Sequence, residues 1–329
     1  MRDLHPNKYA RSQQWSNEQT LHVAVCYSNP FRWQARRNLA NDFIYHMEHS
    51  PNVRLHLVEL AYGDRPFEVA REHDLRLRTR HELFHKENLL NLVISRFPCD
   101  WEYGAIVDAD FHFNRHDWSL EAIHQLQHYD WVQLFSSYLN LSGETLGTGH
   151  RPTSTPVNGF VYNYIQNGYK LPKSLDYKHC GAPGGAWAFR RSAFDACGGL
   201  LDRCILGSGD WYMAWGLCGG SGLEMHPDRG YNPDYVKYVS AWEKRAADAC
   251  RLNVGYVDGF ATHHFHGPLR KRGYGSRNQI LIRDQFSPVT DVFPDYQGVL
   301  QIAPWKHRLR DDIRAYFLSR GEDLPHGMP

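Results

Sequence analysis

Apolar and polar positions along this chain switch between two periods. Residues 21–27 alternate as a first strand and stop at Ser28-Asn29-Pro30. Leu39, Ala40, Phe43, Ile44 and Met47 then recur at helical spacing, which predicts a helix over 34–46. Val53, Leu55 and Leu57 alternate in a second strand closed by Tyr62-Gly63-Asp64, and Leu89, Leu90, Val93, Ile94 and Phe97 mark a second helix broken by Pro98. Residues 103–107 form a short, nearly all-apolar run of the kind buried in a parallel sheet, leading straight into Asp108-Ala109-Asp110. Strand, helix, strand, helix, strand with short links predicts an α/β fold with a mostly parallel central sheet.

The second half reads differently. Residues 142–180 are rich in Gly, Thr, Asn and Tyr with little periodicity, so loops are expected there. A helix is expected over 211–217, another over 235–249, a single strand over 254–262 and an amphipathic helix over 311–319. There is no internal repeat and no clean linker. The expected organisation is an N-terminal extension (1–20), a first half (21–141) and a second half (142–329) of one domain.

The chain has 329 residues, of which 42% are hydrophobic and 22% charged, an ordinary globular composition that excludes a disordered chain. Thirty-seven basic residues against 36 acidic ones leave a net charge of +1, so any nucleic-acid contact has to come from a local patch. Residues 1–20 lack the apolar stretch of a signal peptide, and no run approaches the ~18 apolar residues of a membrane span. The expectation is a soluble protein of the cytoplasm of a bacterium or virus-infected cell. None of the seven cysteines forms a Cys-x-x-Cys pair, which predicts reduced, mostly buried thiols.

Four segments can carry chemistry. Asp108-Ala109-Asp110 sits at the carboxyl end of a buried strand, the edge where open α/β sheets bind ligands, and paired carboxylates there can hold a hard divalent cation. His263-x-x-His266, also at a strand end, supplies imidazoles that suit manganese when mixed with carboxylate. Gly184-Gly185 would let the backbone approach a ligand, and Gly209-Asp210 would add a carboxylate able to act as general base; the plainer reading makes Asp210 a helix N-cap. Finally, 270–277 is a basic run containing Arg272 that can neutralise a diphosphate, or can simply be a solvated loop.

Taken in order, these segments resemble the metal-dependent A-type glycosyltransferases, most of all the β-1,4-galactosyltransferase-like group. Asn29-Pro30-Phe31-Arg32 is similar to that group's Pro-Phe-Arg after the first strand. Residues 84–91 resemble its Phe-x-Arg-x-x-Leu-Leu-Asn helix, with Lys86 in place of arginine, and 103–110 resemble its strand leading to Asp-Val-Asp. Pro183-Gly184-Gly185-Ala186 resembles its Phe-Gly-Gly-Val, and His263-x-x-His266 falls where its Met-x-x-His belongs. Its Trp-Gly-Gly-Glu-Asp-Asp block is matched only loosely by 207–211, with the single carboxylate Asp210. The matches span roughly 22–267 and leave the tail uncovered.

The resemblance implies a GT-A (Rossmann-like nucleotide-diphospho-sugar transferase) fold, with helices on both faces of the sheet. It implies a nucleotide-diphosphate sugar as donor, with UDP favoured, and Mn2+ or Mg2+ held by Asp110, His263 and His266. Pro30, Phe31, Arg32, Lys86, Asp108, Ala109, Gly184, Gly185 and Arg272 would contact the nucleotide sugar. Asp210 would deprotonate an acceptor hydroxyl, with inversion. The acceptor would be a cytoplasmic saccharide or a hydroxymethylated, phage-type DNA base. The second possibility draws on the basic 270–277 run, on Lys306, Arg308, Arg310, Arg314 and Arg320 in the tail, and on Tyr162, Tyr164, Tyr169 and Trp187 as stacking surfaces. Rival readings are a sugar-phosphate nucleotidyltransferase, which would need a Gly-rich basic loop where 28–33 stands, and a non-catalytic sugar-binding protein.

Overall fold

A computed structural model of the chain describes residues 20–146, 149–152, 155–173, 180–226, 228–251 and 253–323. The expected extension 1–20 therefore lies outside them, save for its last residue. Strand β1 (Leu21–Ser28) is flanked by two parallel partners, β2 (Val53–Tyr62) and β4 (Tyr103–Val107). The short β3 (Leu75–Thr79) extends the sheet beyond β2, also in parallel. Beyond β4 the direction flips: β10 (Ala186–Arg190) runs antiparallel to both β4 and β6 (Trp131–Gln133), and β11 (Val254–Tyr256) closes that edge parallel to β6. The order β11-β6-β10-β4-β1-β2-β3 thus has four parallel pairings out of six.

Both faces of this sheet are covered, which is why its strands read as continuous apolar runs. Ala24 and Ile106 pack on one side with Leu89, Leu90, Val93 and Ile94 of α2 (Lys86–Ile94). Val23, Val25, Ala105 and Val107 pack on the other with Ala40, Phe43 and Met47 of α1 (Gln34–Glu48), and with Trp118 and Ala122 of α3 (Trp118–Leu126). The later helices are α4 (Phe160–Gln166), α5 (Arg191–Cys197), α6 (Gly209–Leu217), α7 (Gly222–Met225), α8 (Pro233–Cys250), α9 (Gln279–Arg283) and α10 (His307–Ser319). No helix among the described residues is long and apolar enough to cross a membrane. All seven cysteines are free thiols, five of them buried.

A second sheet stands over the carboxyl end of the first. Its order is β5 (Phe111–Phe113), β12 (Phe260–His263), β7 (Ser137–Leu146) and β8 (Gly149–Pro152), with β9 (Val157–Asn158) also on β7. A hairpin of β13 (Val292–Pro294) and β14 (Leu300–Ile302) completes the strands.

The sequence pattern is corrected in three places. The stretch 142–180, expected as loops, holds the end of β7, the strands β8 and β9, and the helix α4. The single strand expected over 254–262 is two strands, β11 and β12, in different sheets. The chain turns at Asp258-Gly259, where the Gly259 carbonyl accepts the Ser136 amide at 2.9 Å. Strand β3 is additional: Leu75 and Leu77 are buried while Arg76 between them is exposed, a half-buried edge rather than a core strand.

Candidate active site

Reversal of strand order on either side of β1 opens a crevice at the carboxyl ends of β1 and β4, the place where open α/β sheets take ligands. A cavity of about 470 Å³ lies there. It brings together Pro30, Lys86, Asp108, Ala109, Asp110, Gly184, Gly185, Asp210, His263, His266 and Arg272 from the sequence-derived set.

β pairing builds its metal-binding end. Strand β12 aligns His263 with Phe111, and the His264 amide donates to the Asp110 carbonyl at 2.8 Å, so Asp-x-Asp and His-x-x-His are stitched edge to edge. Asp110 Oδ2 lies 2.5 Å from His266 Nε2 and 3.5 Å from His263 Nε2. One ligand atom from each of Asp110, His263 and His266 falls within 4.8 Å of the others. Asn140 Oδ1 sits 2.7 Å from His263 Nδ1, which places the ring proton on that nitrogen and turns a lone pair toward Asp110.

Burial lowers the His263 pKa from its ordinary value, against the opposing pull of Asp110. The Asp110 carboxyl, which burial alone would raise, is held well below the carboxylate range by the two imidazoles. Its Oδ1 is buried without a partner. An ionised carboxylate with an orphaned oxygen, facing an imidazole lone pair, is a donor set that a cation completes, and a mixed carboxylate–imidazole set suits Mn2+.

The opposite end gathers carboxylates around one ammonium. Lys86, at the first turn of α2, places Nζ 2.5 Å from Asp108 Oδ1. Burial would lower the Lys86 pKa, but Asp108, Glu87 and Asp210 outweigh it and keep the lysine charged. Burial raises Asp108 against the pull of Lys86, and pushes Glu87 up to about 7.

Asp210 lies in the first turn of α6 and is not its N-cap; that place belongs to Ser208, held at φ +73°. The Asp210 carboxylate rests on the backbone of Gly184, where an added Cβ would come within 2.3 Å of Oδ2 and displace the carboxylate. The Asp108 amide donates to the Gly185 carbonyl at 2.8 Å, which ties the glycine pair to the end of β4.

The remaining wall is cationic. Arg36, Arg272, Arg277 and Arg320 all line the cavity. The Nε atoms of Arg272, Arg277 and Arg320 are buried and unpartnered, which suits an anionic ligand. Arg272 also donates to His266 Nε2 at 2.7 Å.

Several expectations fall elsewhere. Arg32 has φ +57°, a side chain 68% exposed and Glu68 at 4.0 Å, and it does not line the cavity. Phe31 packs against Trp33 and under Arg314 outside it. Tyr164 and Trp187 are core residues, Tyr162 meets Tyr256 edge to face as Tyr169 meets Tyr164, and none of them lines the cavity; its aromatic lining includes Tyr138 and Tyr274 instead. The basic tail is paired off: Lys306 with Asp291, Arg308 with Asp284, Arg310 with Asp311, Arg314 with Glu82 and Arg320 with Glu322. Sequence reading missed Glu87, Arg36 and Asn140; it had Arg277 only within the basic run 270–277, and it had Arg320 in the tail rather than in the cavity wall. Arg36 carried a signal, four residues beyond Arg32 on the expected first helix, whereas Asn140 belonged to no expected element or motif and carried none.

No protein-family model and no curated protein matches the sequence. Among solved structures, the chain is similar to a protein described as a nucleotide-diphospho-sugar transferase from Desulfovibrio desulfuricans, at 11% identity and a TM-score of 0.33, covering 80% of this chain and 97% of that one. It is also similar to 4-diphosphocytidyl-2C-methyl-D-erythritol synthase from Anaerococcus prevotii, at 8% identity and a TM-score of 0.31, covering 74% and 90%. A third is a protein described as a glucose-1-phosphate thymidylyltransferase from Bacillus anthracis in complex with a sucrose, at 8% and 0.33, covering 74% and 89%. At such TM-scores these likenesses carry no argument about activity, and the functional reading rests on the site itself.

Proposed function

We propose that this protein is a metal-dependent glycosyltransferase of the GT-A type, moving a sugar from a nucleotide-diphosphate donor to an acceptor hydroxyl with inversion. The observation that carries the reading is the Asp110–His263–His266 cluster at the carboxyl edge of the sheet, sharing one cavity with buried arginines and, across from it, Asp210.

Asp110, His263 and His266 would hold Mn2+ or Mg2+, which when bound offsets charge on the leaving diphosphate. Arg272 and Arg277 reach the phosphates with guanidinium N–H groups. Pro30 and Ala109 border the nucleotide, and Asp108, held by Lys86, faces the ribose. Asp210, seated on Gly184, takes the proton of the acceptor hydroxyl as its oxygen forms the new bond to the anomeric carbon. The bond to the diphosphate breaks on the opposite face. Residues 21–141 supply most of the donor side, while 142–329 supply the base and the imidazoles. Phe31 and Arg32 have no place in this scheme. The acceptor in this scheme is a saccharide hydroxyl, a choice supported by the tail, where Lys306, Arg308 and Arg314 are each paired with an acid.

The test is incubation with a panel of nucleotide sugars and Mn2+, with and without glycans or hydroxymethylated duplex DNA. Nucleoside diphosphate release with sugar transfer supports the reading. Pyrophosphate exchange would instead make the protein a nucleotidyltransferase, and sugar binding without turnover a lectin-like binder. Transfer to the DNA alone would replace the saccharide.

A further inference from the structure

The segment that follows α10 reaches back into the cavity. Glu322 buries its carboxylate completely, at 0% exposure, in a bidentate pair with Arg36 at 2.6 and 2.8 Å and a further pair with Arg320 at 2.9 Å. Its Oε2 also stands 3.7 Å from His266 Nδ1. Next to it, the Asp323 carboxylate accepts the Gln34 and Ala35 amides at 3.0 and 2.8 Å, pinning the segment to the start of α1. Gly267 closes the contact: it has φ +91°, and a Cβ there would lie 3.0 Å from the Glu322 Cα. The His266-Gly267 turn and the tail are therefore packed backbone to backbone.

An imidazole that ligates a metal through one nitrogen donates the other N–H to an oxygen acceptor, which fixes the tautomer and raises its basicity. His263 has Asn140, a neutral amide, in that place. His266 turns Nε2 to Asp110 and Nδ1 to Glu322, an anion. We propose that Glu322 is the positioning residue of His266, delivering Nε2 to a divalent cation, and that the tail reaches the metal site through this one side chain. This rests on the cation site of the proposed function and adds to it a residue far from the motifs that define that site. The anionic backing makes His266 the stronger of the two imidazole ligands.

Calorimetry with Mn2+ alone tests this on the full chain, its Glu322→Gln variant and Asp323→Asn. Glu322→Gln is expected to weaken Mn2+ binding about 10- to 100-fold. Asp323→Asn weakens the two contacts to the start of α1 while Arg36 and Arg320 still hold Glu322 in place, and it is expected to stay within about twofold. Because Glu322→Gln leaves two buried arginines without their anion, circular dichroism accompanies it. A second measurement needs no variant: ring-nitrogen NMR of histidine-labelled, Zn2+-loaded wild type should show His266 protonated at Nδ1 and ligated at Nε2. Ligation through Nδ1, or a folded Glu322→Gln with wild-type affinity, overturns the inference and leaves the metal site standing. A wild-type chain that binds no divalent cation overturns both.

Discussion

The two ends of the cavity handle charge in opposite ways. At the histidine end one carboxylate, Asp110, faces two imidazoles, and each ring has an oxygen behind it, Asn140 for His263 and Glu322 for His266. At the lysine end three carboxyls, Asp108, Glu87 and Asp210, share one ammonium. The first arrangement fixes a geometry that a cation completes; the second has more acid than its lysine can neutralise, and Glu87 there is pushed up to about 7. A rigid ligand set suits binding, and a surplus carboxyl suits proton transfer. Variants at the two ends should therefore fail differently.

The largest effect is expected at the histidine end. Asp110→Asn removes the anionic ligand and should abolish both Mn2+ binding and Mn2+-dependent donor binding while the protein stays folded. His266→Ala should do nearly the same, and His263→Ala somewhat less. Calorimetry with Mn2+ and nucleoside diphosphate reads all three, and unchanged affinity in Asp110→Asn would remove the metal from this end.

At the other end, Asp210→Asn should lower the rate by ~10²–10⁴ with donor affinity retained, the usual cost of losing a positioned base. Single-turnover kinetics beside donor titration separates the two quantities. If Asp210→Asn instead lost donor affinity with its rate per bound donor intact, the division of labour would collapse. Retained anomeric configuration in the product would exclude direct displacement.

How far the sequence carried the reading depends on the range of the interactions. Strands β1 and β4 and the helix α1 were legible because both faces of the sheet are buried and the local pattern records it. Asp108-Ala109-Asp110 and His263-x-x-His266 were legible as strand-end clusters. Their meeting was legible only through the family resemblance and not from local pattern, since it depends on β12 pairing with β5, a strand of three residues. The break between β11 and β12 was hidden because Val254 to Thr262 is apolar enough to pass for one strand. Glu322 could not be found from any local pattern: its partners Arg36 and His266 lie in other elements, and only packing joins them. Arg32 was nominated by motif position, but the turn at φ +57° sends it outward and Arg36 faces the cavity.

A smaller effect distinguishes the lysine end by its pH dependence. Burial raises Glu87 to about 7, so the folded protein holds a proton there that the unfolded chain releases at its ordinary value of 4.5. Its contribution is fully present below 4.5 and is lost as pH rises through about 7. Glu87→Gln mimics the protonated form and should gain on the wild type over that window, most clearly between pH 5 and pH 8. Urea unfolding of both proteins at the two pH values reads the gap. A gap that does not change with pH would mean that Glu87 is already ionised in the folded protein.

The smallest effect expected is that of Arg32→Ala, and it tests whether motif position or side-chain direction decides function here. Arg32 occupies the place of the arginine in the Pro-Phe-Arg segment, yet its side chain is 68% exposed and its nearest acid, Glu68, is 4.0 Å away. An exposed pair at that distance contributes little, on the order of 0–1 kcal/mol, and salt screens it further. The turn itself survives the change, because Asn29 holds it: its side chain accepts the Trp33 amide at 2.9 Å and donates to the Trp33 carbonyl at 3.0 Å. Donor KM in Arg32→Ala should therefore stay within about twofold of wild type at any ionic strength. A tenfold rise that shrinks with added salt would show that Arg32 swings inward when a diphosphate arrives, and would return it to the binding site.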